Sequence, residues 1–443
     1  MKLSKYSFIV KKDDVLLLYN CWSERLTVIQ PELAALLKNG DINVIKKKHP
    51  TFYEYLLSEK YIIGNNIIEE KQIIEQWKSE ENSPASFSVF VNPTLNCNMK
   101  CWYCYEEHRS KTEMNKDVLA SVVALLKKQI SDKQLIQFNL SFFGGEPLLE
   151  FEGVVISLIH EAEHLCKIYN KKFHLSFVTN GTLLDQAKIE RLSYVKTNSP
   201  ISFQITLDGD NRYHNATKKG EQCVNSYEKT LENIKLLIKH KMFVTVRLNT
   251  THYNITSYQN VIPEFDCLSE GERAYLKFDV QHVWQDSNYD IKDFDKKQTA
   301  LRDSLIEKGY DVSSLKRIDS SRCYADRSNC IVINYNGDLY KCTARDFISS
   351  NREGLLTKEG NLVWNEKYEK RNQIKYGNAT CQACYIFPLC HGGCSQSKLD
   401  QEKTTGCLKG YNHNDKMKFI EDRLDFLLES IIKQNKLKDE QKD

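Results

Sequence analysis

The sequence lacks any long apolar segment, any strong excess of charge of one sign and any internal repeat. No stretch approaches the roughly 18 uninterrupted apolar residues that a membrane helix needs. In the opening segment MKLSKYSFIVKKDD, charged residues follow too soon for the apolar core of a signal peptide. Sixty-two basic against 59 acidic residues leave a net charge of +3, too weak a footprint to suggest nucleic-acid binding. We therefore expect a cytoplasmic protein without membrane or nucleic-acid partners.

The composition is otherwise that of a globular protein, apart from its cysteines. Of 443 residues, 41% are hydrophobic and 27% charged, which is enough apolar material for a sizeable core and, by length, for about three domains. Fifteen cysteines are the exception. In a reducing compartment disulfides are rare, so metal binding becomes the leading use for so many thiols.

Spacing divides the cysteines into two sets and a remainder. The first set lies in the stretch CNMKCWYC and consists of Cys97, Cys101 and Cys104. The second set occupies the C-terminal third and consists of Cys323, Cys330, Cys342, Cys381, Cys384, Cys390, Cys394 and Cys407. Cys21, Cys166, Cys223 and Cys267 stand alone; a lone cysteine is usually a small buried hydrophobe, so we assign these four no function.

Between the two sets, short apolar runs alternate with amphipathic helical patterns, which is typical of βα units and a parallel sheet. The predicted strands are Phe87–Val91, Ile136–Phe143, Phe173–Val178, Ile201–Leu207, Phe243–Leu248 and Leu276–Val283. The predicted helices begin near Asn115 and cover about Glu152–Tyr169, Leu184–Val195 and Tyr227–Lys239. The pattern indicates an α/β fold, an open or partial (β/α)6 barrel similar to a TIM barrel.

Several polar and glycine-rich segments fall just past the ends of these strands. They are the three-cysteine set, the GGEP stretch Gly144–Pro147, Thr179 with Asn180, and Asp208 with Gly209. In parallel α/β architectures ligands gather at the carboxyl ends of strands. The sequence therefore predicts one site built from these four segments.

The two ends of the chain read differently. Residues 1–80 predict two strands (Ser7–Val10 and Val15–Asn20), three short helices (Pro31–Lys38, Asp41–Lys47 and Thr51–Ser58) and a strand pair around Tyr61–Ile68, which resembles a winged-helix-like α+β domain. Up to Phe90, twelve basic and twelve acidic residues leave this domain without the net positive charge that binding to DNA phosphates requires. An extended peptide that adds to a strand edge is therefore the better candidate partner. Glu69–Pro84 predicts a connecting helix and linker, and about Asp415–Ile432 a C-terminal helix followed by a charged, fraying tail.

The chemistry of the first cysteine set follows from its spacing. Three cysteines spaced Cys-x3-Cys-x2-Cys on one tight loop can bind three corners of a cubic iron–sulfur cluster, leaving one iron open to substrate. A zinc knuckle is the alternative. Structural zinc needs four closed ligands, and His108 is the residue that could supply the fourth.

Here the chain resembles the radical S-adenosylmethionine (SAM) superfamily. The resemblance lies in CNMKCWYC, with aromatic Tyr103 before the third cysteine, in GGEP at 144–147, in VTNG at 178–181 and in TLDG at 206–209, in that order. It implies that one electron from the reduced cluster breaks the sulfonium–carbon bond of SAM to give a 5′-deoxyadenosyl radical. By the match, the residues that would line the cofactor site are Tyr103, Gly144, Gly145, Glu146, Pro147, Asn180, Thr206 and Asp208. Arg247, near the end of the fifth strand, either pairs with a carboxylate or is a solvated surface arginine.

The second cysteine set resembles, cysteine for cysteine, the seven-cysteine SPASM extension of radical enzymes that modify peptides and proteins, with Cys330 additional to the seven. The resemblance implies two auxiliary [4Fe-4S] clusters, hence three in all. One would be held by Cys381, Cys384, Cys390 and Cys407, and the other by Cys323, Cys330, Cys342 and Cys394. A zinc ribbon at Cys381–Cys394 is the alternative, but it would leave the other four cysteines of this set without a metal to bind.

The predicted domains are 1–80 for peptide recognition, 87–310 for the partial barrel, 320–412 for the SPASM domain, and 413–443 for the C-terminal helix and tail. The resemblance implies a maturase that abstracts hydrogen from a ribosomally made precursor peptide, bound through its leader by residues 1–80, and forms a thioether or other crosslink. Flavodoxin or ferredoxin would serve as electron donor.

Two alternatives stay open at this point. Sulfatase-maturing relatives place an acidic residue directly after the cysteine matched by Cys342, where this chain has Thr343, and Asp346 is shifted by three residues. Sulfatase maturation is therefore our second choice. A zinc-dependent peptide-binding protein without catalysis is the alternative from another class.

Overall fold

The computed structural model describes residues 1–220, 225–287, 289–313, 322–401 and 405–440, with side chains up to residue 432. The chain divides into two compact units. We call Ser83–Leu315 with Arg327–Glu369 the sheet unit, and Met1–Asn82, Lys316–Asp326 and Lys370–Asp443 the terminal unit. The predicted cysteine-rich segment 320–412 is thus shared between the two units, and the four predicted domain boundaries stay predictions. Among the described residues, no helix combines the length and the apolar character needed to cross a bilayer.

The elements follow in chain order through both units. The strands are β1 Lys2–Leu3, β2 Ser7–Lys12, β3 Val15–Asn20, β4 Arg25–Val28, β5 Ile62–Ile63, β6 Ser86–Val91, β7 Gln137–Phe142, β8 Lys172–Thr179, β9 Ser202–Leu207, β10 Phe243–Thr250, β11 Leu276–His282, β12 Asp311–Val312, β13 Cys330–Ile333, β14 Asp338–Tyr340, β15 Gly354–Leu356 and β16 Leu362–Trp364. The helices are α1 Pro31–Lys38, α2 Ile42–Lys48, α3 Pro50–Ser58, α4 Glu69–Glu81, α5 Lys116–Ile130, α6 Ile156–Ile168, α7 Gln186–Ser193, α8 Asn211–Thr217, α9 Ser226–Lys239, α10 Tyr258–Val261, α11 Glu270–Arg273, α12 Ile291–Glu307, α13 Glu366–Ile374, α14 Ala379–Ala383, α15 Phe387–Cys390, α16 Ser395–Asp400 and α17 His413–Glu440.

The sheet unit is built on six parallel strands, β6 to β11, that lie side by side in chain order. This confirms the predicted α/β fold, with helices α5, α6, α7 and α9 within or close to their predicted ranges. Helix α5 begins where predicted because the Asn115 side chain accepts the backbone N–H of Val118 at 2.9 Å, which caps the helix. All six carboxyl ends therefore meet at one edge of the sheet.

The sheet extends further at both edges than the sequence indicated. β12 pairs with β11, and β13 pairs in parallel with β6, with Cys330 opposite Ser88. The antiparallel strands β14 to β16 then continue from β13. These strands are two to four residues long, and runs that short cannot be told from loops by periodicity.

The centre of the sheet unit is packed by aromatic side chains from neighbouring strands. Strands β7 and β9 alternate half-buried and buried residues, as expected for a sheet covered unequally on its two faces. Phe177 stacks between Phe142 and Phe203, with ring centroids 5.3 and 4.9 Å away. These rings lie in one continuous core that joins the sheet to its helices.

Replacing Phe177 with alanine should destabilise the sheet unit strongly. The ring is 1% exposed, so its loss leaves a cavity between two aromatic neighbours, at a cost of about 3–5 kcal/mol in the free energy of unfolding. Thermal denaturation followed by circular dichroism measures this as a lowered midpoint. The matched control is Tyr194→Ala, because Tyr194 is 77% exposed and its midpoint should stay unchanged. Equal midpoints for the two variants would contradict the packing described.

The N-terminal part of the terminal unit is a three-stranded antiparallel sheet, in the order β2-β3-β4, with helices α1 to α3 following it. Helices α1, α2 and α3 and strands β2 and β3 were predicted, and β4 was missed. The predicted strand pair around Tyr61–Ile68 was wrong: Ile62–Ile63 alone is strand there, and it pairs with Lys2–Leu3. A strand partner at the chain start is a long-range contact that no local pattern reports.

Both chain ends contribute to one core of the terminal unit. Tyr6, Tyr19 and Trp77 pack with Phe387 and Ile420 in a single buried cluster. Helix α17 extends to Glu440, beyond the predicted end near Ile432, and its Ile431 is 45% exposed. Residues 1–82 therefore depend on the C-terminal segment for part of their burial.

Candidate active site

The three-cysteine set lies on the loop that follows β6, at the carboxyl edge of the sheet. Cys97, Cys101 and Cys104 all line one cavity of about 450 Å³. The Met99 backbone N–H donates to Cys97 Sγ at 3.4 Å, which holds the loop around the first thiol. Cys104 Sγ lies 3.3 Å from Nε2 of His108. The predicted loop thus presents its three thiols to one space.

Burial keeps these thiols protonated in the absence of metal. It raises the pKa of Cys97 to about 12, with the Glu146 carboxylate adding to the effect, and the pKa of Cys104 to about 11. A metal that takes the place of the proton on sulfur removes this penalty, since thiolates are the ligating form. The donor set and the room around it suit a cluster with three protein ligands.

The glycine pair of GGEP packs directly against the cysteine loop. Gly144 and Gly145 follow β7 with φ of +80° and +46°, line the cavity, and leave no room for a side chain. A Cβ on Gly145 would lie 2.3 Å from the carbonyl oxygen of Asn96. The Glu146 backbone N–H donates to that same carbonyl at 2.9 Å. The close approach expected of these glycines is present, and it is made to the residue preceding Cys97.

Glu146 joins two strand ends rather than lining the cavity. Its carboxylate is fully buried and accepts the Thr179 hydroxyl at 2.7 Å and the Asn180 backbone N–H at 2.8 Å. Burial raises its pKa, and these donors oppose that effect. Pro147 is also buried, at the start of a 3-10 turn. The sequence match named both as cofactor-lining residues, but the cavity wall comes from Gly144 and Gly145 instead.

Asn180 and Thr206 do line the cavity. The Asn180 amide donates to Asn98 Oδ1 at 2.8 Å and lies 3.9 Å from Cys97 Sγ, so this side chain connects the end of β8 with the cysteine loop. Asn180 Oδ1 in turn accepts the Thr182 hydroxyl at 2.6 Å.

Asp208 lies behind the wall of the cavity and anchors Tyr103. It is 1% exposed and accepts the Tyr103 hydroxyl at 2.7 Å. The Lys218 ammonium lies 3.9 Å from its other oxygen. Burial raises the pKa of Asp208, and the lysine opposes this. Tyr103 lines the cavity as predicted, while Asp208 positions it.

Lys218 is the residue that sequence reasoning missed. It is 4% exposed and lines the cavity, where its ammonium lowers the pKa of the neighbouring cysteines against their burial. The sequence offered no signal for it, because a lysine beside Lys219 in a polar loop reads as solvated. Arg247 also lines the cavity, with its Nε donating to Asn249 Oδ1 at 3.0 Å.

The terminal unit brings together the four cysteines predicted for one auxiliary cluster. Cys381, Cys384, Cys390 and Cys407 line the same small cavity of about 30 Å³. For the other predicted set, Cys323 and Cys394 belong to the terminal unit and Cys330 and Cys342 to the sheet unit, so that set stays a prediction. No group of three or more His, Cys, Asp or Glu side chains in the described ranges is placed to hold a single metal ion.

The lone cysteines are not alike. Cys21 and Cys166 are buried, as expected of a small hydrophobe, whereas Cys267 is exposed, which corrects the expectation for it. Cys223 lies outside the described residues.

A parallel α/β sheet that carries three cysteines on the loop after β6, beside a glycine-lined cavity, defines a class of iron–sulfur enzymes. Residues 91–256 match the family model of the radical SAM superfamily. The chain therefore contains a radical SAM domain over these residues and is an enzyme. The domain implies one [4Fe-4S] cluster and SAM, and the three thiols in the cavity fit the cluster ligands.

Among curated proteins, the chain is similar to several with named activities, two of which follow. It is 24% identical over 352 residues to a cysteine-type anaerobic sulfatase-maturating enzyme of Clostridium novyi, covering 71% of this chain and 89% of that protein. It is 25% identical over 448 residues to the radical SAM cyclopropyl synthase TigE of Paramaledivibacter caminithermalis, covering 88% and 89%.

Among solved structures, the fold is similar to that of Streptococcus suis SuiB bound to S-adenosylmethionine. The TM-score is 0.53 at 16% identity, and the match covers 92% of this chain and 98% of SuiB. SuiB has also been solved bound to the precursor peptide SuiA. At this identity the likeness establishes the fold.

Proposed function

We propose that this enzyme is a peptide maturase that uses SAM to start hydrogen abstraction from a ribosomally made precursor peptide and forms a thioether or another crosslink. The observation that carries the proposal is the single cavity of about 450 Å³, which three thiols of one loop share with the glycines after β7 and with Asn180 and Thr206. Its volume lies within the range of small-molecule sites.

The chain's own residues divide the work around the cofactor. When bound, the cluster supplies the electron that breaks the sulfonium–carbon bond of SAM. Cys97, Cys101 and Cys104 would hold the cluster, and the close-packed Gly144 and Gly145 would admit the methionyl group against bare backbone. Lys218, a buried ammonium in the cavity wall, would pair with the methionyl carboxylate. Electrons would come from a flavodoxin or ferredoxin.

Two auxiliary clusters complete the proposed cofactor set. The shared cavity of Cys381, Cys384, Cys390 and Cys407 supports the first of them. The second, with Cys323, Cys330, Cys342 and Cys394, rests on cysteine spacing. Eight thiolates make two complete four-thiolate sites.

The residues around Cys342 favour peptide crosslinking over sulfatase maturation. Thr343 and Ala344 line the cavity where an acidic residue would be expected in a sulfatase-maturing enzyme. Asp346 accepts the backbone N–H of Glu107 at 3.2 Å and lies 3.7 Å from the Arg109 guanidinium, so its carboxylate is engaged elsewhere. Among the matched structures, SuiB carries a precursor peptide.

The proposed leader-binding surface is the outer edge of β4. Among the described residues, β4 has no strand partner on that side, and Val28 is 62% exposed there. The Ile29 N–H donates to the Leu16 carbonyl, which makes Ile29 a hydrogen-bonded position of the ladder between β4 and β3. Hydrogen-bonded and non-hydrogen-bonded positions alternate along an antiparallel pair. The N–H of the adjacent residue, Val28, therefore points away from β3 to the open edge. An extended leader can pair with this edge as an added strand.

Val28→Pro should weaken leader binding by about tenfold, because it removes one N–H from the open edge and leaves the ladder to β3 intact. Fluorescence anisotropy with a labelled leader of the peptide encoded beside the gene measures the change. Val28→Ala is the control, because it removes most of the side chain but keeps the backbone N–H. The affinity of this variant for the leader should change much less. Deleting residues 1–80 is a poorer test, because their side chains share a core with Phe387 and Ile420. Equal affinities for Val28→Pro and wild type would exclude this edge.

The function itself is tested by mass spectrometry. Anaerobically purified enzyme, reductant, SAM and the peptide encoded beside the gene should yield 5′-deoxyadenosine and a peptide lighter by two hydrogens, as expected for a new crosslink. An unmodified peptide, together with conversion of a cysteine-containing sulfatase peptide to its aldehyde, would favour sulfatase maturation instead.

Metal analysis distinguishes the enzyme from a zinc-dependent binding protein. Three clusters predict about twelve iron and about twelve sulfide per chain after anaerobic purification. Zinc without sulfide would contradict the proposal.

A further inference from the structure

The cavity wall of the sheet unit contains ten ionisable side chains, and most of them already have a role. The three cysteines are the proposed cluster ligands. The Tyr103 hydroxyl donates to Asp208 at 2.7 Å, and the Tyr105 hydroxyl donates to the Thr343 carbonyl at 2.6 Å. Both hydroxyl hydrogens are therefore already donated to protein acceptors.

Of four further groups, two are cations and two already contact the cysteine loop or the glycine pair. Lys218 and Arg247 are cations. His108 lies 3.3 Å from Cys104 Sγ, at the cluster loop. Glu106 accepts the Gly145 backbone N–H at 2.8 Å and so braces the glycine pair against the loop. The ionisable residue left among the described lining residues is His282.

His282 ends β11, on the side of the cavity formed by the last two parallel strands, opposite Thr250 of β10. Its Nε2 lies 3.3 Å from Asp286 Oδ2, and its Nδ1 lies 3.4 Å from the Tyr289 hydroxyl. The carboxylate favours the tautomer that carries hydrogen on Nε2, which leaves the Nδ1 lone pair as an acceptor. The contact to Tyr289 is long enough for a substrate group to replace it.

Asp286 is itself held in place. It is 8% exposed, accepts the His252 backbone N–H at 2.8 Å, and its Oδ1 lies 2.5 Å from His252 Nδ1. The carboxylate therefore bridges two imidazoles and has little freedom to turn. A histidine backed by a fixed carboxylate is the arrangement that enzymes use to orient a base and to stabilise the imidazolium it becomes.

We propose that His282 is the base that takes the proton from the substrate during crosslinking, with Asp286 as its positioning residue. The inference rests on the proposed function and names a residue for a step that it leaves unassigned.

The step balances as follows for a thioether. The substrate C–H bond breaks homolytically, and its hydrogen atom goes to the 5′-deoxyadenosyl radical to give 5′-deoxyadenosine. The thiol proton goes to His282 Nδ1. The sulfur would then bond to the carbon radical, and an oxidised [4Fe-4S] cluster, held by the predicted cysteine ligands, would accept the one electron left over. His282 therefore acts after SAM cleavage, and its loss should separate the two events.

The test compares two products of the full reconstituted enzyme with the peptide encoded beside the gene. His282→Gln should still form 5′-deoxyadenosine within about twofold of wild type, while crosslinked peptide per 5′-deoxyadenosine falls about 100-fold, the usual scale of a lost general base. Added imidazole should restore part of the crosslinking in His282→Ala. The matched control is His174→Gln, because His174 bonds Ser199 at 2.7 Å on β8, does not line the cavity, and should leave both products unchanged.

The positioning role of Asp286 is tested with a double variant. Asp286→Asn alone should lower the amount of crosslinked peptide per 5′-deoxyadenosine about tenfold. Combining it with His282→Gln should cause no further loss, because both substitutions act on one proton transfer. A purely structural role for Asp286 would instead lower the two products together and add to the loss in the double variant.

The experiments distinguish failure of the proposed role of His282 from failure of the proposed function. If wild type forms no peptide-dependent 5′-deoxyadenosine, the proposed function fails. If wild type crosslinks and His282→Gln does so equally well, the inference fails alone. It also fails if folded, iron-loaded His282→Gln loses both products together, or if Glu106→Gln rather than His282→Gln lowers the ratio.

Discussion

Cys101→Ala should abolish the dithionite-dependent formation of 5′-deoxyadenosine, by at least about 10³-fold. Cys101 is the middle of three thiols on one loop, and residues that act as a unit lose nearly all activity when one is removed. Two thiols cannot hold a cubic cluster with one open iron at a defined place in the cavity. Liquid chromatography of 5′-deoxyadenosine with and without peptide measures the effect.

The matched control for this prediction is Cys267→Ala. Cys267 is exposed in the same unit, and its Sγ lies 3.6 Å from the Glu264 carbonyl, so its removal should leave cleavage at the wild-type rate. In the reduced enzyme, Cys101→Ala should also lose the electron paramagnetic resonance signal that responds to SAM. Continued 5′-deoxyadenosine formation by this variant would overturn the cluster assignment.

Gly145→Ala is expected to lower 5′-deoxyadenosine formation by about 100-fold. The added Cβ would lie 2.3 Å from the Asn96 carbonyl oxygen and 2.7 Å from the Leu95 carbonyl carbon, both of them backbone atoms next to the cysteine loop. A φ of +46° adds about 1–2 kcal/mol of strain for alanine. The loop must therefore shift, and displacement of a reacting centre by about 1 Å can cost this much in rate.

Gly271→Ala is the control for the glycine. No atom lies within 4 Å of a Cβ at that position, which is in the short helix α11, so stability and activity should be unchanged or slightly raised. Gly145→Ala should lower both the thermal midpoint and the rate of SAM cleavage. Wild-type cleavage by Gly145→Ala would mean that the glycine pair does not set the position of the cluster loop.

Much of the site could be read from local sequence, because its parts are short motifs at the ends of strands. The six parallel strands were predictable from apolar runs, and parallel strands bring their carboxyl ends to one edge. That rule predicted a single site formed by the cysteine loop, Gly144, Gly145, Asn180 and Thr206, and these residues line one cavity in the structure. The four cysteines at 381–407 were likewise grouped by spacing and lie around one cavity.

A motif does not show which way a side chain faces. Glu146 and Asp208 belong to the matched motifs, yet both are buried behind the wall, where they fix Asn180 and Tyr103. Lys218 belongs to no motif and reaches the cavity. Side-chain direction depends on packing against residues far along the chain, and a pattern of residue types does not contain it.

The sequence by itself indicated the radical SAM domain, the α/β class, the loop of three cysteines and the grouping of Cys381, Cys384, Cys390 and Cys407, because cysteine spacing and apolar periodicity are local properties. Only the tertiary structure decided which charges meet in the cavity: Lys218 beside Asp208, Glu106 against Gly145, and Asp286 between His252 and His282. The contacts of Asp208 with Lys218, of Gly145 with Glu106 and of Asp286 with His252 join residues from different loops, whereas Asp286 follows His282 by four residues. Their proximity arises when the sheet forms and burial forces polar groups to find partners.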